Sequence, residues 1–312
     1  MFTCRRIIGV FSLLFSSIAA AEKTPTDWLD SMNLAHQTLN FTIPMVHLEP
    51  NSAQTYLFEH GVSDDRQVVY IAALSGPVRH SYRIDNVVTY MEPESRPYSI
   101  NAGQIIGPSP AIFVGKTQHI IDNYSLTMIE KGRIAGRVTQ LIRLKAKDKN
   151  RFNYILWLDV ETKLLLRYDL FDLNNNLLEQ VQAVGLHLNE RPSDNVEKLA
   201  AQPTSETVMI PSTAQDNWRL KWLPAGFEVK ASDEHRVVST VENVDYLMLS
   251  DGLTQVSVYI AKAQQAELPA KLQTNNGLSV ANFRRGLTDI TVVGRIPYET
   301  ALKIAQSVAP NE

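Results

Sequence analysis

The stretch FNYILWLDVETKLLLRYDLF, residues 152–171, decides the fold. It holds two mostly apolar segments, 152–160 and 164–171, on either side of the polar tripeptide 161–163. Apolar and aromatic segments of this length, joined by a short polar turn, are typical of two antiparallel strands in a hairpin. The stretch therefore predicts a β-sheet core for this part of the chain.

The first of these segments is apolar on both faces of the predicted strand. Tyr154, Leu156 and Leu158 share one face, and Ile155 and Trp157 lie on the other. A strand with a single buried face would alternate more cleanly between apolar and polar residues. We therefore expect this strand to be covered on both sides or to line a cavity.

Short alternating segments continue in both directions from the hairpin. Turn residues separate them at intervals of roughly ten residues, which predicts an antiparallel meander. The predicted strands comprise residues 55–58, 68–72, 80–84, 88–90, 136–144 and 177–188. Residues 93–110, rich in proline and glycine, are predicted to form an irregular connection.

One amphipathic helix precedes the meander. Thr24 is the predicted N-cap, Pro25 occupies the first helical position, and Asp27 completes the spacing of a capping box. Apolar residues then recur at helical spacing to about residue 39. A curved sheet around this helix would leave room for an apolar pocket.

The chain divides near its last third. Residues 189–217 are polar and punctuated by proline, with at most a short helix near 196–201, and they form the predicted linker between domains 22–188 and 218–312. In the second domain we predict strands at 237–249, 254–263, 277–285 and 289–293, and a closing helix at 297–308. The predicted fold class is α+β.

The N-terminal segment predicts export. Arg5 and Arg6 precede the apolar residues 7–18, and three alanines end at residue 21, as in a secretory signal peptide, so residues 1–21 should be removed. The only cysteine, Cys4, lies inside this segment. The formal net charge of −3 is a poor match for nucleic acid, which requires a basic surface.

The sequence contains no recognised catalytic, nucleotide-binding or metal-binding motif. It lacks a phosphate-binding loop, a dinucleotide fingerprint and a nucleophile elbow, and its seven histidines have no metal-ligand spacing. We therefore predict neither enzyme activity, nor a cofactor, nor a metal site. An exported enzyme whose site is assembled from scattered acids remains an alternative.

Several segments, in this order, resemble the RseB/MucB family of periplasmic sigma-E regulatory proteins over nearly the whole chain. They are WLDSMNLA (28–35), SGPVR (75–79), YMEP (90–93), RFNYILWLD (151–159), ETKLLLR (161–167), WLPAGF (222–227), SDGL (250–253) and ITVVG (290–294). The resemblance implies a LolA-like half-barrel, a strongly curved antiparallel sheet with helices plugging its concave side. It also implies a smaller C-terminal α+β domain.

The resemblance also implies a function in the periplasm. Proteins of this family bind the periplasmic part of the membrane-spanning anti-sigma factor RseA and shield it from DegS-type cleavage. Lipopolysaccharide or another acyl-chain ligand is expected to release them. The alternative is a plain periplasmic carrier of lipids or lipoproteins, and the sequence neither requires nor excludes a homo-oligomer.

Candidate site residues fall into two groups. For the partner we expect Trp218, Trp222 and Phe227 as apolar anchors, and Arg284 and Arg285 as cations for an acidic segment. The anchors could instead pack in their own core, and the arginines could be a solvated strand end. The expected lipid-cavity residues, with an ordinary core as the alternative, are Tyr56, Phe58, Tyr70, Tyr82 and Trp157.

Overall fold

The structure is a computed structural model. It describes residues 23–63, 65–93, 97–101, 103–105, 117–202, 210–211, 217–236, 243–263 and 271–311. The predicted signal peptide, with Cys4, lies outside the described residues.

Helix α1 (Pro25–Thr38) begins with the predicted capping box. The backbone N–H of Asp27 donates to the Thr24 hydroxyl at 3.2 Å, and the Asp27 carboxylate accepts from the Thr24 N–H at 2.8 Å. These two bonds satisfy donors that a helix start leaves without partners. Trp28, Leu29 and Met32 bury one side of the helix.

The first domain is built on a large antiparallel sheet. Its strands run in the order β6-β5-β4-β3-β2-β1-β11-β10-β9-β8-β7, and β12 also pairs with β1. The strands are β1 (Asn40–Glu49), β2 (Ser52–Ser63), β3 (Arg66–Ala73), β4 (His80–Ile84), β5 (Val87–Met91), β6 (Tyr98–Asn101), β7 (Tyr124–Ile134), β8 (Arg137–Ala146), β9 (Asn153–Asp159), β10 (Leu165–Phe171), β11 (Leu177–Ala183) and β12 (His187–Asn189).

The sheet curves around α1. The helix contacts both β2 and β7, which are six positions apart in the strand order. In a flat sheet these two strands would lie about 29 Å apart, because neighbouring strands are about 4.8 Å apart. A helix only about 10–12 Å wide can touch both only if the sheet bends towards it. We call the face towards α1 the inner face and the opposite face the outer face.

The hairpin 152–171 forms as predicted, with β9 and β10 joined by a turn at 160–164. Other parts of the first domain differ from the prediction. Helix α2 (Thr117–Asn123) and β7 were not predicted, β6 forms inside the predicted irregular connection, and the predicted strand 177–188 is broken between β11 and β12. β6 forms because it pairs with β5, and the local sequence does not reveal this pairing.

Helix α3 (Asp194–Ala200) lies within the predicted linker but packs on the first sheet. Val196, Leu199 and Ala200 bury their side chains against Val68 and Tyr82 on the outer face. The part of the linker that the structure describes around α3 is therefore attached to the first domain.

The second domain contains a smaller antiparallel sheet and one long helix. The sheet has the order β13-β15-β16-β17-β20-β19-β18, and β14 pairs with β21 beside it. The strands are β13 (Ile210–Pro211), β14 (Trp218–Leu220), β15 (Glu228–Arg236), β16 (Asn243–Ser250), β17 (Gln255–Lys262), β18 (Lys271–Gln273), β19 (Ser279–Arg285), β20 (Thr288–Gly294) and β21 (Val308–Pro310). The helix is α4 (Tyr298–Ser307).

The predicted strands and closing helix of this domain are largely present. β17, β19, β20 and α4 lie within one or two residues of their predicted positions, whereas β15 was not predicted. The predicted strand 237–249 is observed as β16 from residue 243, and residues 237–242 lie outside the described part. Ala301, Ile304 and Val308 are fully buried on one side, as their spacing indicates.

The described residues form two large antiparallel sheets, of which the larger is curved, a short β14–β21 pair and few helices, which confirms the predicted α+β class. In the part of the chain that the structure describes, no helix has the length and apolar character needed to cross a membrane.

Candidate functional site

Two of the expected cavity residues lie on the inner face. Phe58 is fully buried, with its ring centroid 5.6 Å from that of Phe41 and 6.5 Å from that of His36 on α1. Tyr56, two residues earlier on the same strand, is only partly buried, and its ring lies 6.3 Å from that of His47. These two residues thus occupy the region where an acyl chain was expected.

The other three expected cavity residues lie on the outer face, which corrects the idea of one cavity lined by all five. Tyr70 pairs across the strands with Tyr82 and with Glu59, the neighbour of Phe58, so both tyrosines point away from α1. Trp157 pairs with Arg167 and donates to Asp169 at 3.2 Å, also on the outer face. Each strand alternates as predicted, but the strand-to-strand register, which the sequence does not show, decides the face.

Among the described residues, side chains pack closely on the inner face beneath β1, β10 and β11. A space beneath the sheet, between β1, β10 and β11, is too small for a water molecule. Its lining residues are Ile43, Met45, Leu165, Leu166, Arg167, Tyr168, Val181 and Ala183. An acyl chain could enter here only if side chains or α1 moved.

The two domains meet at a buried ion pair that the sequence did not predict. Nη1 of Arg151 lies 2.7 Å from Oδ2 of Asp251, and neither side chain is exposed. The Arg151 guanidinium also contacts Oδ2 of Asp148 at 3.1 Å and lies over the ring of Phe227, 5.2 Å from its centroid.

Asp251 is held by donors from both domains. Its Oδ1 accepts the backbone N–H groups of Leu253 and Thr254 at 3.0 and 2.8 Å, and the hydroxyl of Tyr124 donates to Oδ2 at 3.3 Å. Burial and the negative charge of Asp251 raise the pKa of Tyr124 well above its usual value, so this hydroxyl remains a donor. A buried charge needs such partners to offset its lost hydration.

A second charged cluster joins the domains, and we call it the His47 cluster: His47, Glu49, Glu179 and Arg295. Arg295 of the second domain lies 2.8 Å from Oε1 of Glu49 and 2.7 Å from Oε2 of Glu179, both in the first domain. Burial raises the pKa of Glu49, but hydrogen bonds from Arg295 and Asn276 lower it by more, so this pKa lies below its usual value. Nε2 of His47 lies 2.8 Å from Oε1 of Glu179.

Apolar and neutral contacts complete the domain interface. Leu253 of the second domain packs into the core of the first, and the hydroxyls of Tyr154 and Thr254 are 3.2 Å apart. A cleft of about 430 Å³ lies alongside, between the β10–β11 turn and the segments around β18 and α4. It is lined by Phe152, Asp172, Leu173, Asn174, Asn176, Leu177, Leu178, Gln273, Thr274, Asn275, Gly277, Pro297, Tyr298 and Glu299.

The three aromatic residues expected to bind the partner all pack in one hydrophobic core of the second domain, as the alternative interpretation held. Phe227 is buried at the domain interface beneath Arg151. Trp218 and Trp222 are partly buried in the second domain, where the indole of Trp218 donates to Asp245 at 2.6 Å. Nζ of Lys303 lies 3.9 Å from the centre of the Trp222 ring.

Arg284 and Arg285 lie at the end of β19 and point to opposite sides. Nε of Arg284 is 2.6 Å from Oδ1 of Asp289. Arg285 donates to the backbone carbonyl of Gln306 in the last turn of α4. Because Lys303 on the same helix covers Trp222, α4 brings Arg285 and Trp222 to one part of the second domain.

The comparisons with known proteins cover both domains. The model of the MucB/RseB N-terminal domain matches residues 24–207, and that of the MucB/RseB C-terminal domain matches residues 212–309. The chain is 30% identical over 301 residues to the sigma-E factor regulatory protein RseB of Escherichia coli, covering 95% of this chain and 94% of that protein. It is 27% identical to the sigma factor AlgU regulatory protein MucB of Pseudomonas aeruginosa, covering 96% of each.

Solved structures of MucB have the same fold. MucB in the Pseudomonas aeruginosa MucA/MucB complex superimposes with a TM-score of 0.73 at 23% identity, covering 92% of this chain and 99% of that one. MucB in complex with MucA(peri) gives a TM-score of 0.69 at 25% identity, covering 93% and 100%. With both domain models matched in order along its length, the chain belongs to the MucB/RseB family.

Proposed function

We propose that this protein is a periplasmic negative regulator of an envelope-stress sigma factor of the sigma-E class. It binds the periplasmic segment of a membrane-spanning anti-sigma factor of the RseA or MucA kind and shields that segment from the first proteolytic cut. A lipid or lipopolysaccharide-like ligand releases it.

The observation that carries this proposal is the full-length match to regulators of this kind, in both domains and in order. Two of the similar solved structures are complexes of MucB with MucA, one of them with MucA(peri). The predicted signal peptide supports a periplasmic location. A binding role also agrees with the lack of a recognised catalytic motif in the sequence.

For partner contact we propose the part of the second domain around the last turns of α4. Trp222 offers a partly buried aromatic surface there, and Arg285 and Lys303 supply positive charge nearby. Arg284, the residue before Arg285 at the end of β19, is paired with Asp289. An acidic segment would compete with Asp289 for the guanidinium of Arg284. A partly buried aromatic residue beside cations is a common composition of interface hot spots.

For ligand release we propose entry of an acyl chain at the inner face near Tyr56 and Phe58. The packed interior means that entry must displace side chains or α1. Tyr154 lies on this same face and contacts Thr254, and Leu253 packs into the same core, so the displacement would act on the domain interface. Release requires that the ligand bind the displaced arrangement better than the packed one.

The test uses the mature chain and a peptide of the anti-sigma factor's periplasmic segment. Lipopolysaccharide is titrated into the preformed complex, and peptide affinity is measured by fluorescence anisotropy. The proposal predicts tight peptide binding that weakens as lipopolysaccharide is added. Lack of peptide binding would refute the regulatory role, and an affinity insensitive to lipopolysaccharide would refute the release mechanism alone.

A plain lipid carrier is the less supported function. The packing beneath β1, β10 and β11 does not distinguish the two functions, because cargo and releasing ligand alike would have to displace side chains or α1. The second domain, however, would have no role in a plain carrier. Deleting residues 218–312 separates the two functions, since a carrier would keep its ligand and a regulator would lose its protein partner.

A further inference from the structure

The His47 cluster has the composition of a metal site as well as of an ion-pair network. Its imidazole nitrogen and one oxygen from each of its two carboxylates lie within 4.8 Å of one another. Nε2 of His47 is 2.8 Å from Oε1 of Glu179 and 3.6 Å from Oε1 of Glu49. Imidazole and carboxylate are the ligands with which proteins hold zinc and similar cations.

The strand geometry explains why these groups converge. His47 and Glu49 are two residues apart on β1 and therefore share the inner face. Val181 of β11 lies directly opposite His47, and Glu179 is two residues from Val181 on the same face. The backbone of two paired strands thus fixes all three side chains, which favours a preorganised site.

The environment of His47 is a second observation that points to a bound cation. The residue is 7% exposed, and its Nε2 is buried without a hydrogen-bond partner although Glu179 is close by. The 2.8 Å contact with Glu179 therefore lacks the direction of a hydrogen bond. A buried ring nitrogen facing two carboxylates in this way is placed to donate its lone pair to a cation.

The charge balance also favours a cation. With the imidazole of His47 neutral, as cation binding requires, two carboxylates face one guanidinium, that of Arg295, which leaves an excess of one formal negative charge. The Glu49 and Arg295 side chains keep 21% and 27% of their surface exposed, whereas those of His47 and Glu179 are nearly buried. The site can thus be reached from the side of Glu49 and Arg295.

We propose that His47, Glu49 and Glu179 form a binding site for a divalent cation of the zinc class, which the cation occupies in exchange for the guanidinium of Arg295. Bond lengths of about 2.0–2.1 Å place tetrahedral ligand atoms about 3.3 Å apart, so modest side-chain rotations would suffice. Water would fill the fourth position.

The exchange links the cation to the domain interface, because Arg295 is the second domain's contribution to the cluster. A cation that displaces Arg295 removes two charged contacts between the domains. Docking of Arg295 in turn weakens binding of the cation. This coupling is reciprocal by thermodynamic necessity. The proposal concerns these residues only and does not depend on the identity of the protein partner.

The experiment titrates zinc chloride into the mature chain by isothermal calorimetry and follows ¹⁵N-labelled histidine by NMR. We expect one zinc ion per chain and a metal-induced shift of the His47 Nε2 resonance. His47→Gln should weaken binding by at least about tenfold, since even outer partners of a metal contribute that much. The exposed His187 supplies the control, and His187→Gln should change nothing.

Arg295→Gln gives the decisive result. Removing the competing guanidinium should tighten zinc binding, whereas a merely structural role of the cluster would give weaker binding or none. Circular dichroism checks that the variants are folded, and the wild-type NMR shift stays informative if His47→Gln is not. Absence of zinc binding, an unchanged His47 resonance, or weaker binding in Arg295→Gln would each overturn the proposal.

Discussion

Arg151 and Asp251 are a hundred residues apart in sequence and form an ion pair of 2.7 Å with neither side chain exposed. Each comes from a different domain, so the pair exists only while the domains are docked. In the first domain Tyr124 and Asp148 add further partners. This pair is therefore the most sensitive point at which to test how the domains are held together.

Removing one member of the pair should destabilise the protein strongly. Arg151→Met should cost about 3–5 kcal/mol, because the charge of Asp251 is then buried without its cation. Asp251→Asn should cost less, because Arg151 keeps Asp148 as a partner. The double variant should lose less than the sum of the two, as its interior carries no unpaired charge. Urea denaturation of all four proteins measures this.

The exposed pair of Lys230 and Glu228 supplies a control for the ion-pair test. Lys230→Met should change the free energy of unfolding by less than about 1 kcal/mol. Equal losses for Lys230→Met and Arg151→Met would contradict the special role of the buried pair.

Stability should fall as the pH drops below about 6.5. Burial, aided by the nearby His60, lowers the pKa of His36 to about 3, and burial lowers that of His60 to about 4 despite a hydrogen bond to the Leu39 carbonyl. Because both folded-state pKa values are depressed, the unfolded chain takes up protons first. Each histidine should cost about 1.4 kcal/mol per pH unit between about pH 6 and its folded pKa.

Urea denaturation at pH 7, 6, 5 and 4 checks this dependence. His36→Gln should flatten it, whereas His187→Gln, at an exposed strand position, should leave the slope as in the wild type. A slope that is the same in all three proteins would show that His36 does not cause it.

A side chain at Gly277 should weaken packing against the docked first domain. Its φ is +79°, and a Cβ there would lie 2.6 Å from Cδ1 of Leu178 and 3.2 Å from Cε2 of Phe152. Gly286 also has positive φ, +60°, but a Cβ there meets nothing within 4 Å. Both alanine variants cost about 1–2 kcal/mol of backbone strain. Only Gly277→Ala also displaces the Leu178 side chain and crowds Phe152 at the domain interface.

Hydrogen exchange measures the difference between the two glycine variants. The backbone amides of Phe152 and Tyr154 should exchange faster in Gly277→Ala than in Gly286→Ala. If both variants exchange alike, the contact of Gly277 with the first domain does not limit docking.

Charge reversal at the end of β19 should weaken binding of an acidic anti-sigma segment. The double variant Arg284→Glu with Arg285→Glu should bind several-fold more weakly, mainly through slower association, because it repels an acidic peptide. The fold should persist, since both arginines lie at a strand end and are partly exposed. Lys230→Glu, on a different strand of this domain, should bind the peptide as the wild type does. Wild-type affinity in the double variant would remove Arg284 and Arg285 from the proposed site.

The sequence by itself determined the elements whose causes are local. The capping box at Thr24 and Asp27, the hairpin within 152–171 and the buried stripe of α4 need only neighbouring residues, and the structure contains all three. The alternation of β2 likewise placed Tyr56 and Phe58 on one face. The spacing of apolar residues and the capping of a helix depend on only a few neighbouring residues, so both can be read directly from the sequence.

Only the tertiary structure decided how these elements meet. The strand register placed Tyr70, Tyr82 and Trp157 on the outer face, and the curvature of the sheet packed α1 against the inner face in one core. Domain docking brought Arg151 to Asp251 and Arg295 to Glu49, across separations of 100 and 246 residues. Such contacts depend on the strand order and on how the domains dock, and no local pattern in the chain encodes either.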